Sequence, residues 1–114
     1  MEKQDFINAG YVAFNSNILS DYAECGLQKR VRDEDGNTKY FINVMMYDMS
    51  KINVNLSKKY SFEYEVRLFT GSFLSEDGHL SFAIKGCVES ICEVEQHIEN
   101  AYFVLNCIPD VHNN

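Results

Sequence analysis

The sequence predicts an α+β fold: an antiparallel sheet of about four to five strands built from two β-hairpins, with a C-terminal helix packed on one face and a short N-terminal helix. Three observations carry that expectation. One stretch alternates apolar and polar residues strictly, the tripeptide Glu-Asp-Gly occurs twice between strand-forming runs, and a capped apolar stripe lies near the C-terminus. At 114 residues and 46% hydrophobic content the chain reads as one domain, residues 1–114, able to fold without disulfides or metals.

The alternating stretch runs from Tyr60 to Thr70. Tyr60, Phe62, Tyr64, Val66 and Leu68 interleave with Ser61, Glu63, Glu65 and Arg67, the period-two pattern of a half-buried strand. It returns, after Glu76-Asp77-Gly78 and with a bulge expected at Gly71, from His79 to Gly86. The first hairpin pairs Gly26–Asp33 with Thr38–Met49 around Glu34-Asp35-Gly36, where glycine supplies the positive φ of the turn. An EF-hand would need a carboxylate where Val31 stands, so the acidic turn is not a calcium loop. The Thr38–Met49 strand is apolar on both sides, with Tyr40, Ile42, Val44 and Met46 on one and Phe41, Met45 and Tyr47 on the other; it is expected to be central and covered twice. Between the hairpins, "SKINVNLSKK" reads as a short edge strand protected by lysines.

Ser90 and Glu93 form a capping-box pattern ahead of Ile91, Val94, Ile98, Ala101 and Leu105, and this helix is expected on the sheet face that bears Tyr64 and Phe82. Its end, "AYFVLNCI", is apolar all round, so Phe103 and Val104 need cover or the helix stops early. Ile7, Tyr11, Phe14 and Ile18 have helical spacing and suggest an N-terminal helix over Lys3–Phe14, against the resistance of Gly10. If that helix does not cross Phe41, Met45 and Tyr47, those side chains form an exposed apolar patch.

Charge is unevenly placed. The net charge is -7, and Lys85 is the last Lys or Arg; from Gly86 onward there are five acids, against twelve acids and ten bases in residues 1–85. Glu89 and Glu93 are four residues apart, as are Glu95 and Glu99, a spacing at which like charges destabilise a helix by a few tenths of a kcal/mol (~0.3). The row is therefore a candidate surface for a basic partner. The basic run Lys29, Arg30, Arg32, with Arg67, puts arginines beside Tyr47 as in sheets that hold single-stranded nucleic acid, but a pI of about 4.8 opposes that reading, and Arg30 and Arg32 are expected to pair across strands with Glu63 or Glu65.

Chemistry-bearing motifs are absent. Phosphate-binding glycine loops, nucleophile elbows and zinc-protease signatures do not occur, and Cys25, Cys87, Cys92 and Cys107 have no metal-site spacing and read as reduced thiols. Glu93 and His97 lie one helical turn apart without a nucleophile, and Cys92 and His97 point in different directions. "MEKQDF" has no apolar segment behind it and no window is long enough to span a bilayer, so the expected compartment is the cytoplasm. The Asn55 sequon is then without consequence.

These observations point to a non-enzymatic, acidic protein-binding inhibitor that occupies a basic nucleic-acid-binding surface of its target. A phage or mobile-element anti-defence (anti-CRISPR-like) protein, or a toxin-immunity protein, has that profile. Glu89, Glu93, Glu95 and Glu99 would supply charge, with Phe41, Met45 and Tyr47 as anchors. No cofactor, metal, membrane or direct nucleic-acid contact is expected. Two alternatives stand beside it: a self-associating adaptor that forms a homodimer through the Met45 and Tyr47 face, and a small-molecule binder or enzyme with a site between sheet and helix.

Overall fold

The computed structural model describes residues 1–14, 23–52, 60–69 and 81–107. Five antiparallel strands lie in sequential order: β1 (Val12–Phe14), β2 (Ala23–Arg32), β3 (Thr38–Asp48), β4 (Tyr60–Phe69) and β5 (Ser81–Cys87). Helix α1 (Lys3–Asn8) precedes them, one helical turn α2 (Met49–Ile52) follows β3, and α3 (Ile91–Cys107) closes the fold. The architecture is the expected α+β, with one sheet and helices at both ends of the chain.

The first turn works as its composition requires. Gly36 has φ +86°, the Asp33 amide donates to Asn37 O, and Asp33 Oδ1 accepts from the Asp35 and Asn37 amides, so the turn is closed by its own side chain. The tip of the second hairpin and Gly71 lie outside the described residues, but its strands pair as expected, from Glu63 opposite Cys87 to Phe69 opposite Ser81. The lysine-protected edge strand does not hold where it is described. Ser50, Lys51 and Ile52 belong to α2, which Asp48 caps by accepting from the Ser50 amide and hydroxyl, while residues 53–59 lie outside the described residues. Among the described strands β1 and β5 are outermost.

The N-terminal helix is shorter than its apolar spacing suggests. Gly10, at φ +97°, ends it in a Schellman motif: the Tyr11 amide donates to Phe6 O, the Gly10 amide to Ile7 O, and the Phe6 and Tyr11 rings meet edge to face at 5.3 Å. The chain then turns into β1, so Phe14 sits in a strand. Phe6 faces the core, with its ring 4.7 Å from that of Phe62, and Ile7 is 37% exposed, the reverse of the side the spacing selects.

All core side chains lie on one sheet face. Leu27 from β2, Tyr40, Ile42, Val44 and Met46 from β3, and Phe62, Tyr64, Val66 and Leu68 from β4 are buried beneath α3, whose Ile98 is fully enclosed. Val88 joins them, its amide donating to Phe62 O at 2.8 Å. Phe82, opposite Leu68, departs from expectation: on the outer strand β5 it remains 44% exposed. Phe103 and Val104 are also exposed, at 68% and 60%, because α3 neither stops early nor is covered there. Among the described residues no helix is long and apolar enough to cross a membrane.

Phe6→Ala should lower unfolding stability by about 3 kcal/mol, as expected for an aromatic ring removed from a closed core. Ile7→Ala should change it by under about 1 kcal/mol. Urea unfolding of both variants measures the difference.

Candidate functional site

The four helix glutamates separate into two pairs. Glu95 and Glu99 flank the apolar stripe of α3 and turn toward the sheet. Glu95 accepts from Lys29 Nζ at 3.0 Å and from the Tyr11 hydroxyl at 3.3 Å; Glu99 accepts from Lys39 Nζ and from the Tyr40 hydroxyl at 2.5 Å. Lys29 stands opposite Ile42 on the core face of β2, an apolar position where a lysine needs an anion. Lys39 also lies 4.7 Å over the Tyr102 ring, which stacks on Tyr40 at 5.4 Å between centroids. Glu89 and Glu93 are exposed, so only they remain of the proposed row as outward charge on this side of the molecule.

Titration reflects the two clamps. Burial, followed by the Glu95 carboxylate, raises the Tyr11 hydroxyl above its ordinary value, and burial with the Glu99 hydrogen bond does the same for Tyr40. For Glu99, burial would raise the carboxyl, but the hydrogen bonds from Lys39 and Tyr40 outweigh it and the net shift is downward.

The opposite sheet face carries no helix among the described residues. Phe41, Met45 and Tyr47 lie on it along the central strand, and neither α1 nor α3 crosses them, so among the described residues no helix supplies the expected second cover of β3. Phe41 is 43% exposed, and Met45 and Tyr47 are half-buried. Register places further side chains on this face: Arg30 opposite Phe41, Glu63 opposite Met45, Glu65 opposite Asn43, and Arg67 opposite Ala83. The Phe14 ring covers Gly26, where a Cβ would come within 2.3 Å of it, so a glycine is required beneath the aromatic. A depression of about 670 Å³ opens over β3–β5, bordered by Met45, Tyr47, Glu63, Arg67 and Lys85.

The expected Arg30 and Arg32 pairs with Glu63 or Glu65 are not made, because β3 separates β2 from β4. Arg30 Nε donates to Thr38 Oγ1, and Glu65 has Lys85 at 3.9 Å. Cys92, Glu93 and His97 are exposed on α3. Among the described residues no group of three or more His, Cys, Asp and Glu side chains converges to hold a metal ion.

No protein-family model matches the chain, and comparisons with curated proteins and with solved structures find no match. Sequence reasoning misses Phe14 on the open face and the roles of Lys29 and Lys39 in the clamps, whereas it does place Arg30 and Arg67 on the polar sheet face. The strict alternation of β4 already puts Arg67 on the side of Glu63 and Glu65, and Lys29 between Leu27 and Val31 signals an inward-facing cation.

Glu99→Gln should reduce stability at neutral pH by about 1 kcal/mol, the scale of a partly exposed charge-assisted contact. The folded carboxyl titrates below its unfolded value of about 4.3, so its contribution is present above that pH and is lost as pH falls through the folded value. The variant should therefore show a shallower loss of stability on acidification. Glu93→Gln should leave neutral-pH stability within about 0.5 kcal/mol. Denaturation series from neutral to acid pH measure both.

Proposed function

We propose that this protein acts by binding another protein chain rather than by catalysis, with the open sheet face as its contact surface. The supporting observation is the row Phe41, Met45 and Tyr47 on the central strand, with Phe41 exposed, no described helix over it and charges of both signs at its border. A one-sided sheet with an aromatic at its centre and a polar rim has the composition of a protein interface.

An inhibitor of a nucleic-acid-handling protein, in anti-defence or toxin immunity, is the form that the net charge of -7 favours. Its acidic contribution comes from Glu89 and Glu93 and from the Asp33, Glu34 and Asp35 turn, all exposed, because Glu95 and Glu99 are engaged internally. Such a surface steers a basic partner, and apolar anchors hold it.

Immobilised protein, offered source-cell and host-cell lysate at low and high salt, tests this reading. Phe41→Asp/Tyr47→Asp should lower recovery of a captured partner more than tenfold (~1.4 kcal/mol or more). Glu89→Lys/Glu93→Lys should slow association and remove its salt dependence. Recovery unchanged by the Phe41 and Tyr47 substitutions would show that the open face is not the contact.

A further inference from the structure

We infer that the open sheet face binds a second copy of this chain across a two-fold axis perpendicular to the strands, an inference that rests on the protein-binding reading. The face is self-complementary about the row that contains Asn43 and Glu65. On one side of that row lie Arg30, opposite Phe41, and Arg67, opposite Ala83; on the other lie Gly26 beneath Phe14, and Glu63 opposite Met45. A two-fold running across the strands at that row exchanges the two sides.

The exchange makes each contact reciprocal, as an isologous interface requires. Arg67 of one copy meets Glu63 of the other, since both lie on β4 at equal distances from the axis. Phe41, the exposed knob, meets Met45 at the border of the depression, which is bordered by Met45, Tyr47 and Glu63 and not by Phe41. Arg30 meets the Phe14 ring, a cation over an aromatic face. Glu65 lies close to the axis and would face its own copy, but each Glu65 has Lys85 of its own chain 3.9 Å away. The other in-plane axis, along β3, would set Arg30 against Arg67, so charge selects the first arrangement. Twisted sheets stack face to face in this manner about 10 Å apart, their strands offset by about 30°. In the resulting dimer α3 lies outside, and Glu89 and Glu93 are presented on both outer sides.

A charge-swap series on the full chain tests this by sedimentation equilibrium from micromolar to submillimolar protein, with circular dichroism to verify folding. Wild type should dimerise reversibly. Arg67→Glu and Glu63→Arg should each weaken the dimer about tenfold or more, because each sets two like-charge pairs across the axis. Arg67→Glu/Glu63→Arg in one chain restores opposite charges at both contacts and should recover wild-type affinity to within about threefold. A wild-type monomer at every concentration would overturn the second copy as occupant, while the capture experiment with Phe41→Asp/Tyr47→Asp would still decide whether the face binds a different protein. A dimer indifferent to both single swaps, or one that the double swap fails to restore, would overturn this geometry.

Discussion

The sheet has two faces and the described chain contains one helix long enough to cover a face: α3, with 17 residues, spans about 25 Å, while α1 has six residues and a single buried side chain. Burial therefore goes to one side. The stripe of α3 and Phe6 of α1 meet the same face of β2, β3 and β4, and that side becomes the whole core. The other face of the central strand carries Phe41, Met45 and Tyr47 with no described helix over it.

How α3 seats on the sheet is fixed by two charged contacts as much as by apolar packing. Apolar contacts are non-directional and tolerate sliding, whereas Lys29 with Glu95 and Lys39 with Glu99 define one position along the helix axis. The tyrosine hydroxyls of Tyr11 and Tyr40 add donors, so each carboxylate is held from two sides. The two clamps lie four residues apart, one helical turn, and bind residues from β2, β3 and the segment before β1. A helix shifted by a turn would leave at least one lysine among apolar groups without its anion, a large penalty compared with the small net gain of the pairs themselves.

Much of the fold was legible because short-range chemistry agreed with long-range packing. The alternation of β4, the glycine of the first turn and the capping serine of α3 each fix local conformation irrespective of neighbours; Ser90 Oγ does accept from the Glu93 amide, at 3.4 Å. The N-terminus was less legible because Ile7, Tyr11 and Phe14 match a helical period, while Gly10 ends the helix after six residues and leaves Tyr11 and Phe14 outside it. The site was legible in part. Phe41, Met45 and Tyr47 could be placed on one strand face, but whether anything covers them depends on where α1 docks. For the glutamate row, spacing along one helix shows which acids are neighbours and is silent about the cations on the sheet opposite that engage Glu95 and Glu99.

The separation of the acids changes what the net charge means. A value of -7 counts all seventeen acidic residues alike, yet Glu95 and Glu99 are neutralised by lysines within the fold, and the open face combines Arg30, Arg67 and Lys85 with Glu63 and Glu65. Among the described residues the exposed acids include Glu2, Asp5, the Asp33–Asp35 turn, and Glu89 and Glu93 at the start of α3. Charge far from the apolar row steers encounter, and charge beside it sets register, because screening removes the first over about 10 Å at ordinary ionic strength while contact pairs persist. An interface built on the open face would then respond weakly to salt once formed, and the acidic periphery would govern how fast a basic molecule arrives.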